Sequence, residues 1–372
     1  MATPKLKTAL VGTGKVAQLH AAALQALPES EFVGVCGRPS AKRDAFAAQA
    51  GVPAFGKVDE LIQKTGAQVL CVCTPHPNHA APTIAAAQAG VHVLVEKPLA
   101  ASLADCDAMI AAAAAGRATI GMVSQRRFYP PCQRIRRAID AGQLDRPILG
   151  SAVMFGWRDE AYYRSDPWRG SWAGEGGGIL VNQAPHQLDL LLWYLGPAAE
   201  VFGYWGNLNH PSIEVEDTAV AVVRFASGAL GNILLSNSQN PALHARVSVH
   251  GSNGASVGVQ TDGGAMFVAG VTQEIEPPYN DVWTVRGEES KLPLWKEADA
   301  AFFRGVNPMA FFHRLQIQDF LQAILQGRPP AISAADGRRT VELFTGIYRS
   351  MRDNQPVRFP LAGGAAAGEA RG

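Results

Sequence analysis

Several features that would each define a class of protein are missing from this chain. No stretch approaches the roughly 20 apolar residues that a membrane-spanning helix needs. The first residues, Met1 to Lys7, do not have the layout of a secretory signal, so a cytoplasmic protein is expected. Cysteine is sparse: Cys36, Cys71, Cys73, Cys106 and Cys132 are five in 372 residues. So small and odd a set argues against a disulfide scaffold and for a reducing compartment. Cys71 and Cys73 also lack C-x-x-C spacing. On a strand they would share one face, with Val72 on the other, as small buried apolar residues. Excess charge is missing too: Lys+Arg is 33 against Asp+Glu 32. That balance excludes a broad attraction to nucleic acid or anionic membrane and leaves room for a local phosphate pocket. No internal repeat is visible.

What the chain does have is apolar content, 47%, enough for ordinary cores. Domains usually run to about 100–200 residues, so two are expected. The first 125 residues alternate strand and helix patterns. Apolar runs at Thr8–Val11, Glu31–Cys36, Val69–Cys73, Val91–Val95 and Thr119–Val123 read as strands. Val16–Leu27, Ala41–Ala50, Pro82–Ala89 and Ser102–Ala115 read as helices, with Ser102 as an N-cap. Continuous apolar strands alternating with helices indicate a parallel sheet covered on both faces. After Gly196 the texture changes to alternating strands, Val201–Leu208, Thr218–Phe225, Leu230–Ser236 and Ala245–His250, some of them separated by Gly/Ser/Asn turns. This is the pattern of an antiparallel sheet. Helices return at Pro308–Leu325 and Ala335–Met351. The expected division is 1–125 for dinucleotide binding, 126–362 for an α+β substrate-binding and oligomerisation domain, and 363–372 as a flexible tail.

Gly12-Thr13-Gly14-Lys15-Val16-Ala17 reads G-x-G-x-x-A between a strand and a helix. The first glycine allows the tight turn, and the second lets a pyrophosphate approach the helix N-terminus. Ala17 keeps the helix close to the strand. An acid at the end of the second strand would bind the adenosine ribose, but this chain has Cys36-Gly37-Arg38-Pro39-Ser40 there. Arg38, Ser40, Lys42 and Arg43 suit a 2′-phosphate, which leans toward NADP with NAD left open. Thr74, Pro75 and His79, at another strand end, would line the ribose or nicotinamide edge. His76 and His79 have no nearby cysteine or carboxylate in that loop, so no metal is expected.

Glu96-Lys97-Pro98 ends the strand Val91–Val95, on the side where open α/β sheets bind ligands. A lysine there can stabilise a developing alkoxide. Further on, Gly176-Gly177-Gly178 precedes a helix predicted to start near Asn182, because Pro185 is tolerable only in a first turn. Leu188, Leu191, Leu192 and Leu195 form its apolar face, and Asn182, His186, Asp189 and Trp193 the opposite one. That opposite face reads equally well as an ordinary solvated face or as a site in which His186 exchanges one proton near neutral pH. Residues 157–172 are dense in aromatics and arginines. Arg158, Tyr163, Trp168 and Arg169 are candidates for stacking on sugar rings and binding their oxygens.

Taken together, Gly12-x-Gly14-x-x-Ala17, Glu96-Lys97-Pro98 and Gly176-Gly177-Gly178…Asn182-x-x-x-His186-x-x-Asp189 resemble the Gfo/Idh/MocA family of oxidoreductases, which includes glucose–fructose oxidoreductase and inositol dehydrogenase. The likeness runs from about residue 5 to about residue 360. It implies a Rossmann domain followed by an open, mostly antiparallel sheet, with NAD or NADP as cofactor. The implied substrate is a sugar, glycoside or cyclitol, whose secondary hydroxyl is oxidised to a ketone or formed by the reverse reaction. It also implies Lys97 and His186 as the catalytic pair, Pro98 after a cis bond, cofactor contacts from Gly12 through Ala17, Arg38, Thr74, Pro75, His79, Glu96 and Lys97, and a homo-oligomer built on the sheet face. Substrate contacts would come from Lys97, Arg158, Tyr163, Trp168, Arg169, Asn182 and His186. Many members carry Asp where this chain has Asn182, and an amide can position a hydroxyl but cannot take its proton. Two other readings stay open: a glycosidase-like enzyme that uses bound NAD for transient oxidation and elimination, and a non-enzymatic dinucleotide-sensing regulator.

Overall fold

A computed structural model describes residues 4–264 and 275–361. Contacts divide the chain into two units, one running to Gln125 and also containing Pro308–Arg338, the other formed by Arg126–Asn307 and the residues from Arg339. The expected tail at 363–372 lies outside the described residues.

The first unit is a six-stranded parallel sheet with helices. Its elements are β1 (Leu6–Val11), α1 (Lys15–Ala26), β2 (Ser30–Cys36), α2 (Ala41–Ala50), β3 (Ala54–Phe55), α3 (Val58–Thr65), β4 (Val69–Val72), α4 (Ala80–Gln88), β5 (His92–Val95), α5 (Leu103–Gly116) and β6 (Ile120–Met122). The strand order is β3-β2-β1-β4-β5-β6, the doubly wound order of a Rossmann fold. Strand β4 is fully buried, as a strand covered on both faces must be. Helix α1 turns Ala17, His20, Ala21 and Leu24 inward, a helical stripe with one polar member. Ser102 caps α5 by accepting from the Asp105 amide, as the sequence predicts.

The helix Pro308–Gln326 also belongs to this unit. Its buried side includes Phe312, His313, Ile317, Phe320 and Leu321, and Ile317, Phe320 and Leu321 join the core formed by Leu10, Leu24, Cys71 and Leu94. Its pattern alone predicts a helix. Which sheet it covers depends on packing between segments some 200–300 residues apart, which the pattern does not contain.

The second unit contains α6 (Pro130–Asp140), β7 (Pro147–Phe155), α7 (Glu160–Arg164), α8 (Trp172–Glu175), α9 (Pro185–Leu195), β8 (Ala198–Gly206), β9 (Thr218–Phe225), β10 (Leu230–Ser236), β11 (His244–Gly251), β12 (Ser256–Gly264), β13 (Ile275–Glu276), β14 (Tyr279–Trp283) and α10 (Lys291–Arg304). After α11, the helix Pro308–Gln326 already described, come α12 (Ala334–Arg352) and β15 (Val357–Arg358). The strand order is β13-β12-β11-β7-β10-β9-β8-β15, with β14 beside β12. All of these pairings are antiparallel except β7 with β10. β9 alternates, with Ala219, Ala221, Val223 and Phe225 buried and Val220 and Val222 exposed. One face of the sheet is therefore packed and the other open.

One expectation about α9 needs correction. The helix begins at Pro185, with Ala184 as N-cap, because proline fits best at the first helical position. Asn182 lies in the turn before it, where its amide donates to the Gly178 carbonyl at 2.9 Å. Of the two readings of the side opposite the leucines, the solvated face does not hold: His186 and Asp189 are buried with them. Asp189 takes a two-pronged ion pair from Arg127, at 2.6 and 2.8 Å, and the Arg127 guanidinium lies 5.3 Å from the Trp193 ring centre.

Candidate functional site

The carboxyl ends of the parallel strands carry most of the first-unit residues singled out by sequence. Gly12–Gly14 follow β1, Arg38 follows β2, Thr74 and Pro75 follow β4, and Lys97 follows β5. Gly12 has φ +102°, and a Cβ there would lie 2.7 Å from the Cys73 carbonyl oxygen. Only glycine fits that approach to the neighbouring strand. Gly14 is the N-cap of α1, and a Cβ on it would meet no protein atom within 4 Å. No side chain caps this helix and no acid sits in its first turn. Its leading N–H groups therefore suit a dinucleotide pyrophosphate.

At the end of β2, Ser40 caps α2 through the Arg43 amide, and Arg43 is held by Asp44 at 2.6 Å. Of the four donors expected for a 2′-phosphate, Arg43 is already donating to Asp44. Arg38 and Lys42 remain exposed.

Two residues assigned by sequence to the cofactor, His79 and Glu96, brace the chain around Lys97. His79 is buried, with Nδ1 2.9 Å from the Pro98 carbonyl and Nε2 2.9 Å from the Thr74 carbonyl. Burial pushes its pKa down, opposed by those backbone hydrogen bonds. The peptide between Lys97 and Pro98 is cis, as the resemblance implies.

Glu96 points into the buried interior. Its Oε1 lies 2.8 Å from His20 Nε2 and 3.5 Å from His313 Nε2, and its Oε2 accepts the Lys97 amide at 3.2 Å. Burial alone would raise this carboxyl, but hydrogen bonds from the two histidines outweigh it and hold the group well below the usual carboxylate range. The three side chains bring possible metal-ligand atoms within 4.8 Å of one another. The 2.8 Å contact is a hydrogen-bond distance, and the group reads as a hydrogen-bonded triad. Sequence reasoning missed it because its members come from α1, the end of β5 and α11. The available signal was a histidine on the otherwise apolar inner stripe of α1.

Cys71 and Cys73 are buried free thiols, as expected, with Cys71 pushed up to about 12 by burial.

In the second unit the structure gathers Arg158, Tyr162, Tyr163, Arg169, Glu175, Asn182 and Gln183 into one polar cluster. Asp159 caps α7 through the Tyr162 amide at 2.8 Å, which sets Tyr162 beside both arginines. The Arg158 and Arg169 guanidinium carbons lie 5.2 and 4.3 Å from the Tyr162 ring centre. The Tyr162 hydroxyl accepts from Asn182 Nδ2 at 3.3 Å and from Gln183 Nε2 at 3.1 Å. Asn182 Nδ2 also donates to Glu175. Trp168 stacks 4.4 Å from the Arg169 guanidinium. Glu175 and Gln183 lie outside the sequence candidates, and Tyr162 is flagged only as part of the aromatic and arginine-rich segment 157–172. They are spread over 22 positions with no regular spacing, so only the fold reveals them.

His186 is buried in the first turn of α9, four residues beyond Asn182. The glycine run before it serves packing. A Cβ on Gly178 would lie 1.9 Å from the Glu216 carbonyl oxygen. The Glu216 carboxyl accepts from the Gly178 and Leu180 amides at 2.9 and 3.0 Å and from the Tyr348 hydroxyl at 2.8 Å. Burial outweighs these hydrogen bonds and raises its pKa to about 7.

A doubly wound sheet with an uncapped glycine turn at its first helix, followed by a mixed sheet carrying a buried histidine helix, defines a two-domain dinucleotide-dependent oxidoreductase. Residues 6–123 match the oxidoreductase family with an NAD-binding Rossmann fold, and residues 132–257 match the GFO/IDH/MocA C-terminal domain. The chain belongs to the Gfo/Idh/MocA family and is a nicotinamide-dependent oxidoreductase. Among its relatives is myo-inositol 2-dehydrogenase of Thermotoga maritima, 25% identical over 358 residues that span 95% of this chain and 98% of the relative. Another is 1,5-anhydro-D-fructose reductase of Ensifer adhaerens, 28% identical over 67% of this chain and 74% of that protein. The WlbA dehydrogenase of Bordetella pertussis, solved with NADH and UDP-GlcNAcA, superimposes with a TM-score of 0.84 at 28% identity, covering 97% of this chain and all of that one.

Proposed function

We propose that this chain oxidises a secondary hydroxyl of a sugar, glycoside or cyclitol to a ketone, or runs the reverse reaction, with Lys97 and His186 as the catalytic pair. When bound, the nicotinamide supplies the acceptor for the hydride from the C–H bond. His186 takes the hydroxyl proton as the C–O bond gains double-bond character, and the Lys97 ammonium stabilises the negative charge that develops on that oxygen. Asn182 is an amide with its Nδ2 already donating to Glu175 and Tyr162, so it orients and takes no proton. Gly12 to Ala17, Arg38, Thr74 and Pro75 hold the dinucleotide.

The observation that carries this reading is a lysine held at the carboxyl end of β5 by both of its neighbours, Glu96 to His20 and Pro98 to His79. A residue fixed in this way is pre-organised for chemistry. Lys97→Ala and His186→Ala should lose hydride transfer while still binding NADH by fluorescence titration. Near-normal turnover in both would reject the assignment.

The names of the relatives favour this dehydrogenase over the glycosidase-like and regulatory readings. Continuous product formation with no net change in reduced-nicotinamide absorbance would reverse that preference.

The open sheet face carries Leu149, Tyr204, Val220, Val222 and Leu230, all at least 45% exposed. A contiguous apolar face of this kind suits a second copy of the chain. Sedimentation should give a dimer or larger, and a monomer at micromolar concentration would count against it.

A further inference from the structure

Three arginines flank the polar cluster around Tyr162, and their charges are compensated differently. Arg164 is exposed and pairs with Glu160. Arg169 pairs with Asp166 at 3.2 Å and also donates to the Tyr162 hydroxyl. Arg158 is only 7% exposed and has no acidic partner within 4 Å among the described residues. Its Nη1 donates to the neighbouring Trp157 carbonyl at 2.7 Å, and its buried Nε has no partner. The acids around it are engaged elsewhere. Glu175 accepts from Asn182 and from the Gly170 amide, and Asp217 takes His210 at 2.8 Å together with the Leu208 and Asn209 amides. Asp159, the next residue in the chain, caps α7.

A buried guanidinium without an acidic partner is costly even with the Tyr162 ring 5.2 Å away, and a bound anion would relieve that cost. The backbone holds it firmly in place. The Arg158 amide donates to the Asn237 carbonyl at 3.0 Å, and the Arg158 carbonyl accepts from His210 at 2.7 Å. With Nη1 engaged by Trp157, the Nε–Nη2 edge has no protein partner, and two parallel N–H groups on that edge match the two oxygens of a carboxylate. Next to it, Asn237 is fully buried and donates to Tyr163 and Gln183, while its Oδ1 has no partner. Gln239 Oε1 is also buried without one. These orphaned oxygens are acceptors for hydroxyl groups. The arrangement combines one cation edge with nearby hydroxyl acceptors and joins the cluster that holds Asn182.

We propose that Arg158 anchors a carboxylate on the substrate, so that the preferred substrates are sugar acids, with hydroxyls of the same molecule donating to Asn237 and Gln239. This rests on the dehydrogenase reading above and names the substrate class of that site.

The test is calorimetric titration of the wild-type chain, with NADH present, against matched series: D-glucose, D-glucuronate, D-glucuronamide and D-glucose 6-phosphate, and the corresponding D-galactose compounds. A charge-assisted pair should make the acid bind about tenfold to about a hundredfold tighter than its amide in at least one series. Arg158→Met should bring that acid-to-amide ratio close to one, and Arg158→Lys should keep part of it. Equal affinity for acid and amide in both series would overturn the proposal, and so would a ratio that survives in Arg158→Met. A 6-phosphate that outbinds the acid would overturn the carboxylate assignment. The wild-type comparison stands on its own if Arg158→Met does not fold. Tight acid binding without any reduction of NAD⁺ or NADP⁺ would count against the dehydrogenase reading and leave Arg158 assigned.

Discussion

Replacing Glu96 with Gln tests how the segment bearing Lys97 is held. The change keeps the shape of the side chain and removes its charge. In the folded protein the carboxylate takes His20 at 2.8 Å, His313 at 3.5 Å and the Lys97 amide at 3.2 Å, all in a buried setting. A hydrogen bond to a charged group contributes about 1.5–3 kcal/mol net, and the two longer contacts contribute less than the short one. The amide also turns one acceptor into a donor facing N–H groups. The expected loss is about 2–4 kcal/mol near neutral pH, or roughly 3–5 °C in melting temperature for a chain of 372 residues. The pH dependence has a definite sign. The Glu96 pKa is depressed on folding, so its contribution is present above the unfolded value near ~4.3 and is lost as pH falls through the lower folded value. The gap between wild type and Glu96→Gln should be full near pH 7 and narrow below about pH 4. Thermal unfolding followed by circular dichroism across that range measures it. A gap under about 1 kcal/mol at neutrality, or one that does not narrow on acidification, would refute the triad as a source of stability.

Four further outcomes are expected. Asp189→Ala removes the carboxylate from a buried two-pronged pair with Arg127 and should cost about 3–5 kcal/mol by denaturant titration, much of it recovered in Arg127→Met/Asp189→Leu. Gly178→Ala would place a methyl group 1.9 Å from the Glu216 carbonyl oxygen and should destabilise by about 3 kcal/mol or more, read as a lower midpoint at unchanged slope. The Glu216 carboxyl, raised to about 7, has the opposite sign to Glu96: its favourable contribution is lost as pH rises from the unfolded value through about 7. Between about pH 5 and pH 8 the wild type should therefore lose roughly 3 kcal/mol relative to Glu216→Gln. His79→Ala frees the carbonyls of Thr74 and Pro98 and should lower turnover more than NADH affinity, whereas an equal fall in both would show that His79 serves only the fold.

What could be read from the sequence was local. The turn from Gly12 to Ala17, the Ser102 cap and the strands Thr218–Phe225 and Leu230–Ser236 depend on neighbours within a few residues, and they appear where periodicity and capping chemistry put them. What could not be read was long-range or short. His20, Glu96 and His313 meet only because helix Pro308–Gln326 packs on the first unit. The spacing Asn182, His186, Asp189 reads equally as a solvated helix face or as a site, and periodicity does not decide between them. Proline at 185 moved the helix start, and Arg127, far back in the chain, drew Asp189 into the interior. Elements such as α7, α8 and β3 are too short for a period to register. The cluster around Tyr162 depends on those short elements, so the arginines could be flagged as a group but Arg158 could not be told from Arg169.

The most direct measurement is reduced-nicotinamide absorbance as the wild-type chain meets a panel of sugars, sugar acids, glycosides and cyclitols with NAD⁺ and with NADP⁺. The expected result is a rise in absorbance, matched one for one by ketone, with at least one compound, and no rise in Lys97→Ala or His186→Ala. Ketone or cleavage product forming with no change in absorbance, or a full rise in both variants, would contradict it.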